Sequence, residues 1–205
     1  MLNKYARALF TTIFTPVARL FLKLGISPDV VTIVGTLGVC AGALAFYPRG
    51  ERNFLWGTLV ITAFVFSDTV DGVMARMSGR SGKWGAYLDS TLDRVGDSAI
   101  FGGLVLWYAG RGDDFLMAGL ALACLILGGV VSYAKARAEG LGFTADVGIA
   151  ERADRLVAVL VATGLVGLGV PEVLLTVVLA LLAVASFITV LQRMLTVRRQ
   201  ALEAT

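Results

Sequence analysis

The chain contains no histidine. A proton acceptor working near neutral pH must therefore come from a carboxylate, a lysine or a less common group, because the usual imidazole base is excluded. Cysteine is almost as scarce. Cys40 and Cys124 stand alone inside apolar runs, without CxxC spacing, and read as small apolar residues rather than a disulfide or a metal pair. Charge is sparse too: charged residues make up 16% of the 205 and hydrophobic ones 57%, with a mean hydropathy of +0.81, which excludes an ordinary soluble domain. No Ser/Pro-rich tract and no polar linker longer than about fifteen residues divides the chain, so 1–205 reads as one domain. The acidic pattern described below has no tandem or inverted repeat, which argues against a secondary transporter.

What is present is a series of long apolar runs. Stretches near 30–47, 54–77, 85–109, 115–136, 156–170 and 173–197 are each suited to cross roughly 30 Å of hydrocarbon, giving an all-α polytopic membrane protein with six transmembrane helices over 26–199. The fifth is the shortest and begins among polar residues, so five spans and a buried helix is the alternative count. Residues 1–25 read as a juxtamembrane amphipathic helix lying in the headgroup layer, not as a cleavable signal. Leu9, Phe10, Ile13, Phe14, Val17, Leu20 and Phe21 recur at helical spacing, with Lys4, Arg7, Arg19 and Lys23 on the rest of its surface. The alternative is a helix that packs on the protein and faces water.

Charge sets an orientation. Of 18 Lys and Arg, only Arg49, Arg52 and Arg111 fall on one set of connections. The positive-inside tendency then places both termini and the acidic cluster on the cytoplasmic side of the cell membrane. The net charge of +3 and pI near 9.1 follow from topology and contact with anionic membrane lipid, and no nucleic-acid partner is implied.

Two apolar segments carry aspartates at facing ends. Asp68 and Asp71 are three residues apart and Asp89 and Asp93 four apart, so each pair projects from one helix face, and the short connection between them brings the faces together. A central Asp in a span costs roughly 2.5–3.5 kcal/mol on insertion scales, and clustered carboxylates in an apolar setting need compensating charge. Oxygen donors favour Mg²⁺, with Mn²⁺ as the alternative, and Mg²⁺ commonly bridges carboxylates to substrate phosphates. Beside them, Gly72 and Ala75 leave a face small enough for a bulky ligand or a close helix contact, and Arg76 is suited to a phosphate. The 77–84 connection holds Gly79 and Gly82, which permit sharp turns and free amides for an anion. Ser27-Pro28-Asp29 opens the first span as a helix start.

The string Asp68-x-x-Asp71-Gly72-x-x-Ala75-Arg76, eight residues, Gly85-x-x-x-Asp89-x-x-x-Asp93 resembles the full signature of the CDP-alcohol phosphatidyltransferases, without a departure at any of its eight fixed positions. The resemblance implies transfer of a phosphatidyl group from a CDP-linked lipid such as CDP-diacylglycerol to an alcohol, with release of CMP. It implies metal ligation by Asp68, Asp71 and Asp89, with Asp93 completing a second site and serving as base. A CDP-lipid pocket would be lined by Gly72, Ala75, Arg76 and Gly85, joined by Asp29, Thr32, Ser81 and Gly82. A homodimer is also what the family suggests. Asp97, one turn beyond Asp93, lies outside the signature and reads as a partner for Arg94 or another cation.

The acceptor is read from cations. Ser132, Lys135, Arg137, Arg152, Arg155 and Arg193 fall near cytoplasmic helix ends, suggesting a second anionic ligand, although single interfacial cations also snorkel to headgroups. The stretches 131–140 and 149–156 resemble the actinobacterial phosphatidylinositol-phosphate synthases, which implies an inositol phosphate acceptor, D-myo-inositol 3-phosphate, held by Ser132, Lys135, Arg137, Arg155 and Arg193. Within the same class the alternative is phosphatidylglycerophosphate synthesis from glycerol 3-phosphate. From another class, the alternative is a cation transporter using the aspartates as an intramembrane relay.

Overall fold

The computed structural model describes residues 14–79 and 82–203, with the backbone but not the side chain of Asp68. Ser81 and residues 1–13 of the expected amphipathic helix lie outside the described residues. Helix α1 is described over 14–23. It is followed by α2 (Pro28–Phe46), two single 3₁₀ turns, α3 (Phe54–Val65), α4 (Ser67–Met77), α5 (Lys83–Tyr108), α6 (Phe115–Gly140), α7 (Arg152–Gly167) and α8 (Val173–Glu203).

Among the described residues four segments are long and apolar enough to cross a membrane: Pro28–Arg49, Glu51–Met77, Phe115–Gly140 and Val173–Glu203. The second joins α3 to α4 through a break at Phe66, where Ser67 Oγ turns back to donate to the Phe64 carbonyl at 2.6 Å. The other two expected spans are helical but less clear-cut, for physical reasons. α5 carries Asp89, Asp93, Arg94 and Asp97 through its first half before turning apolar. α7 has 16 residues, about 24 Å of helix, which is short of the hydrocarbon thickness.

The chain divides into two compact units, and the boundary falls within α2, α3 and α5. One comprises Met1–Ala43 and Leu59–Ile100, the other Leu44–Thr58 and Phe101–Thr205. In the first, Ala18, Val31, Val70, Val73 and Met74 form a core, with Phe14, Phe21, Leu22 and Ile26 packed on it. α1 is therefore a packing helix on one face, while Val17 and Leu20 remain exposed beside Arg19 and Lys23. Close approach of α2 to the α3–α4 rod depends on glycine. A Cβ at Gly35 would stand 1.9 Å from Ser67 Oγ, and one at Gly38 would stand 2.3 Å from the Phe64 ring. Small residues at helical spacing give membrane helices the backbone contact that apolar lipid does not drive.

In the second unit, aromatic packing ties the 3₁₀ turns to the start of α3 and the end of α5. Phe54 meets Tyr47 edge-on at 5.5 Å and Tyr108 at 6.3 Å, and the Tyr47 hydroxyl lies 3.0 Å from Thr58 Oγ1. α6 begins at a true cap, with Asp114 accepting from Met117 N at 3.0 Å. Beyond α6, the 141–151 connection is fastened to α8: Gln200 Nε2 donates to the Thr144 carbonyl at 2.7 Å, and Thr189 Oγ1 accepts from the Ile149 and Ala150 amides at 3.2 Å each.

Candidate active site

In the first unit the start of α2, the C-terminal half of α4 and the start of α5 enclose a cavity of about 440 Å³. Its walls carry Asp29 and Thr32 from α2, Asp71, Gly72, Ala75 and Arg76 from α4, and Gly82, Gly85 and Asp89 at the start of α5. Every described residue expected in the CDP-lipid pocket is thus on one wall or another. The reason is helical periodicity: Ala75 stands four residues from Asp71, Arg76 four from Gly72 and Asp89 four from Gly85.

The glycines of this cavity differ from those that pack helices. Among the described residues, a Cβ at Gly85 would meet nothing within 4 Å, and one at Gly72 would meet only Arg76 Nη1 at 3.6 Å. Among the described residues no neighbouring helix uses the space these two glycines leave; it opens on the cavity. The sequence left ligand room and helix contact as alternatives, and the geometry favours ligand room.

The acids are graded in exposure. Asp71 is 7% exposed, and Thr32 Oγ1 donates to its Oδ2 at 2.5 Å. Thr32 Oγ1 also lies 3.1 Å from the Pro28 carbonyl, but a hydroxyl has one proton and the bond to an ionised carboxylate is the stronger. Asp89 is exposed to the cavity. Asp93 is half-buried one turn further along α5 and does not line it. Arg94 Nη2 stands 3.7 Å from Asp93 Oδ2 and 3.8 Å from Asp97 Oδ2, so the expected Asp97–Arg94 pairing is present and extends to Asp93. Asp71 is near enough to Asp89 and Asp93 for their charges to repel.

This donor set suits a hard divalent cation: it is all oxygen, it concentrates negative charge, and the cavity leaves room for phosphate oxygens to complete a coordination shell. Among the described residues no three acids stand close enough together to hold an ion by themselves. Asp68, the remaining expected ligand, belongs to α4 by its backbone, and its side chain lies outside the described residues.

One participant was not anticipated. Trp84 Nε1 donates to Asp29 Oδ2 at 3.0 Å, and its ring stacks on Tyr87 at 6.0 Å. This fixes the Asp29 carboxylate on the cavity wall. A tryptophan at the head of a charged helix gives no sequence signal for a partner 55 residues earlier.

The expected acceptor residues lie in the second unit. Arg155 is 1% exposed and Arg193 is 6% exposed. Arg155 Nη1 donates to the Ala150 carbonyl at 2.9 Å, in room that Gly128 provides: a Cβ there would come within 3.3 Å of Arg155 Nε. Ser132 Oγ donates to the Gly128 carbonyl at 3.1 Å, which places it beside the same glycine. Arg193 Nε and Nη1 donate to the Val147 and Val131 carbonyls at 3.0 and 2.5 Å. Lys135 Nζ pairs closely with Asp146 and lies 3.8 Å from Glu139. The hydrogen bond and charge of Lys135 hold the Asp146 carboxyl below its ordinary range. These cations therefore brace the 141–151 connection, and Asp146, which the sequence reading missed, occupies the ammonium expected to meet a phosphate. Arg137 is parted from Ser132 and Lys135: two residues beyond Lys135, it points about 200° round α6 and lines a groove with Arg198.

Comparison with known proteins shows the family of the chain. The family model described as CDP-alcohol phosphatidyltransferase matches residues 25–148, which hold every signature position. A phosphatidylinositol phosphate synthase of Streptomyces avermitilis is 58% identical over 210 residues, covering 100% of this chain and 85% of the relative. The enzyme of that name from Mycolicibacterium smegmatis is 43% identical, covering 97% and 90%. The crystal structure of the Mycobacterium tuberculosis phosphatidylinositol phosphate synthase with CDP-DAG bound superimposes with a TM-score of 0.86 at 43% identity, covering 91% of this chain and 94% of that one. The same protein in complex with manganese and citrate gives a TM-score of 0.83 at 43% identity, covering 90% and 88%. With the eight signature residues present in its sequence and its relatives matched along nearly the whole length, the chain belongs to the CDP-alcohol phosphatidyltransferase family.

Proposed function

We propose that the protein acts as a phosphatidylinositol phosphate synthase, transferring the phosphatidyl group of CDP-diacylglycerol to myo-inositol phosphate and releasing CMP. The observation that carries this reading is the cavity in which Gly72 and Gly85 face open space between Asp71, Asp89 and Arg76. Full-length relatives bearing that enzyme name support the choice of acceptor.

In this reading the cytidine diphosphate lies against Gly72, Ala75 and Gly85, where the missing side chains let a pyrophosphate approach the backbone. Arg76 meets a phosphate, and Asp29, held by Trp84, and Thr32 complete the wall. A divalent cation, Mg²⁺ or Mn²⁺, would be held by Asp68, Asp71, Asp89 and Asp93, and when bound supplies the positive charge that offsets the pyrophosphate and the departing CMP. Thr32 fixes the orientation of the Asp71 carboxylate. Asp93 accepts the proton of the attacking inositol hydroxyl. The hydroxyl oxygen forms its bond to the lipid-side phosphorus as the bond from that phosphorus to the CMP oxygen breaks, so no covalent enzyme intermediate is required. Ser132, Lys135, Arg155 and Arg193 hold the acceptor's phosphate, which displaces Asp146 from Lys135.

The same reading includes one membrane domain with six spans, α5 and α7 counted with the four apolar segments named above. It places α1 in the headgroup layer and both termini and the site at the cytoplasmic face of the cell membrane. The excess of cations on one set of connections supports that orientation. It also includes a homodimer, as the family suggests. Membership of a transferase family sets the cation-relay reading aside.

The test is CMP release by purified protein supplied with CDP-diacylglycerol and Mg²⁺. Release is expected on addition of inositol phosphate, with chelator abolishing it and Mg²⁺ or Mn²⁺ restoring it. Release with glycerol 3-phosphate alone would replace this reading with phosphatidylglycerophosphate synthesis.

A further inference from the structure

The second unit carries a groove of about 450 Å³ between the C-terminal half of α6 and that of α8, which shares with the proposed acceptor-phosphate set only the buried Arg193 of its wall. Val130 and Ala134 line it from α6, and Val190 and Met194 from α8; the lining is overwhelmingly apolar. Its other end is cationic, with Arg137 and Arg198 on its rim. From Val130 to Arg137 is about 10 Å along the helix.

The two arginines stand apart from the rest of the cation cluster. Arg193, at the groove wall, is buried and committed to the Val131 and Val147 carbonyls, and Lys135 is paired with Asp146 and Glu139. Arg137 and Arg198 are exposed, and neither side chain makes an ion pair or hydrogen bond among the described residues. Tyr133 is 68% exposed beside them, an amphipathic ring of the kind enriched at headgroup depth.

We infer that this groove is a binding site for an anionic phospholipid, its phosphate between Arg137 and Arg198 and one acyl chain along the α6–α8 seam. The inference does not depend on which alcohol accepts the phosphatidyl group. Charge complementarity selects the occupant. A zwitterionic lipid brings no net charge to two unpaired guanidiniums, and a free phosphate leaves the apolar length of the groove unused. A second copy of the chain packed face to face would set the same two arginines against their own like charges across a two-fold axis.

The experiment is native mass spectrometry of the full-length protein with phosphatidylglycerol and phosphatidylcholine of identical acyl chains. Phosphatidylglycerol should be retained in preference, each arginine contributing about fivefold in affinity. Arg198→Gln should cut the preference by about that factor and Arg137→Gln with Arg198→Gln should abolish it, whereas Arg198→Lys should keep most of it. Ala134→Trp, which fills the groove, should lose both lipids. Unchanged CMP release by Arg198→Gln certifies that the fold is intact. Equal retention of the two lipids, or a preference that survives loss of both arginines, overturns the inference. So does displacement of phosphatidylglycerol by soluble glycerol phosphate at equal concentration, or a change of subunit stoichiometry in Ala134→Trp with lipid retention unaltered.

Discussion

Thr32 on α2 and Asp71 on α4, 39 residues apart, are joined by a 2.5 Å hydrogen bond in the wall of the cavity. The bond satisfies a nearly buried carboxylate and sets the direction of its oxygens. Thr32→Val keeps the shape and removes the donor. A hydrogen bond to a charged group contributes about 1.5–3 kcal/mol, so CMP release should fall by about 10- to 100-fold, with Thr32→Ser close to the parent. A steady-state rate for the two variants decides it. Equal loss in both would mean that the methyl group, not the hydroxyl, matters.

The two kinds of glycine should separate cleanly. Gly35→Ala drives a methyl into Ser67 and should lower stability by about 1–3 kcal/mol, seen as a lower unfolding midpoint in detergent. Gly85→Val points its side chain into the cavity and should leave that midpoint near the parent while weakening CDP-diacylglycerol binding by at least about tenfold. A destabilised Gly85→Val with normal lipid affinity would assign that glycine to packing.

Sequence alone could place Asp71, Gly72, Ala75, Arg76, Gly85 and Asp89 on common helix faces, because that depends only on local periodicity. It could not tell whether a small residue serves a ligand or a neighbour. Gly35 and Gly85 look alike until the atoms opposite them are known. The bonds Trp84–Asp29 and Lys135–Asp146 were equally hidden, since each joins residues across a turn or between helices. The departure of Arg137 from Lys135 was legible in principle, because a two-residue step on a helix reverses direction. The span count rested on hydropathy, and it blurs where α5 carries its acids and α7 runs short.

Asp93→Asn removes the proposed proton acceptor with little change in volume. CMP release should fall by about 10²- to 10⁴-fold, the range for loss of a general base, while Mg²⁺ still raises thermal stability through the remaining acids. A transferase rate close to the parent would remove Asp93 from this role.

Asp146 should compete with the acceptor for Lys135. Asp146→Asn leaves the ammonium unpaired on that side, and the KM for inositol phosphate should fall about two- to fivefold with kcat little changed, as suits an exposed ion pair. The same pair has a pH signature. Because the folded Asp146 pKa lies below its ordinary 3.8, the link is fully formed above that value and is lost as pH falls through the depressed one. Hydrogen-exchange protection of 141–151 should therefore hold from neutrality into the mild acid range and be weaker throughout in Asp146→Asn. Protection that already fails near neutrality would refute the link.

The acceptor is the centre of the account, and an equimolar competition tests it most directly. Purified protein, CDP-diacylglycerol and Mg²⁺ are given inositol phosphate and glycerol 3-phosphate together, and the lipid products are resolved by mass. The account predicts phosphatidylinositol phosphate as the dominant product, formed in step with CMP and lost in Lys135→Ala. Phosphatidylglycerophosphate as the dominant product would contradict it.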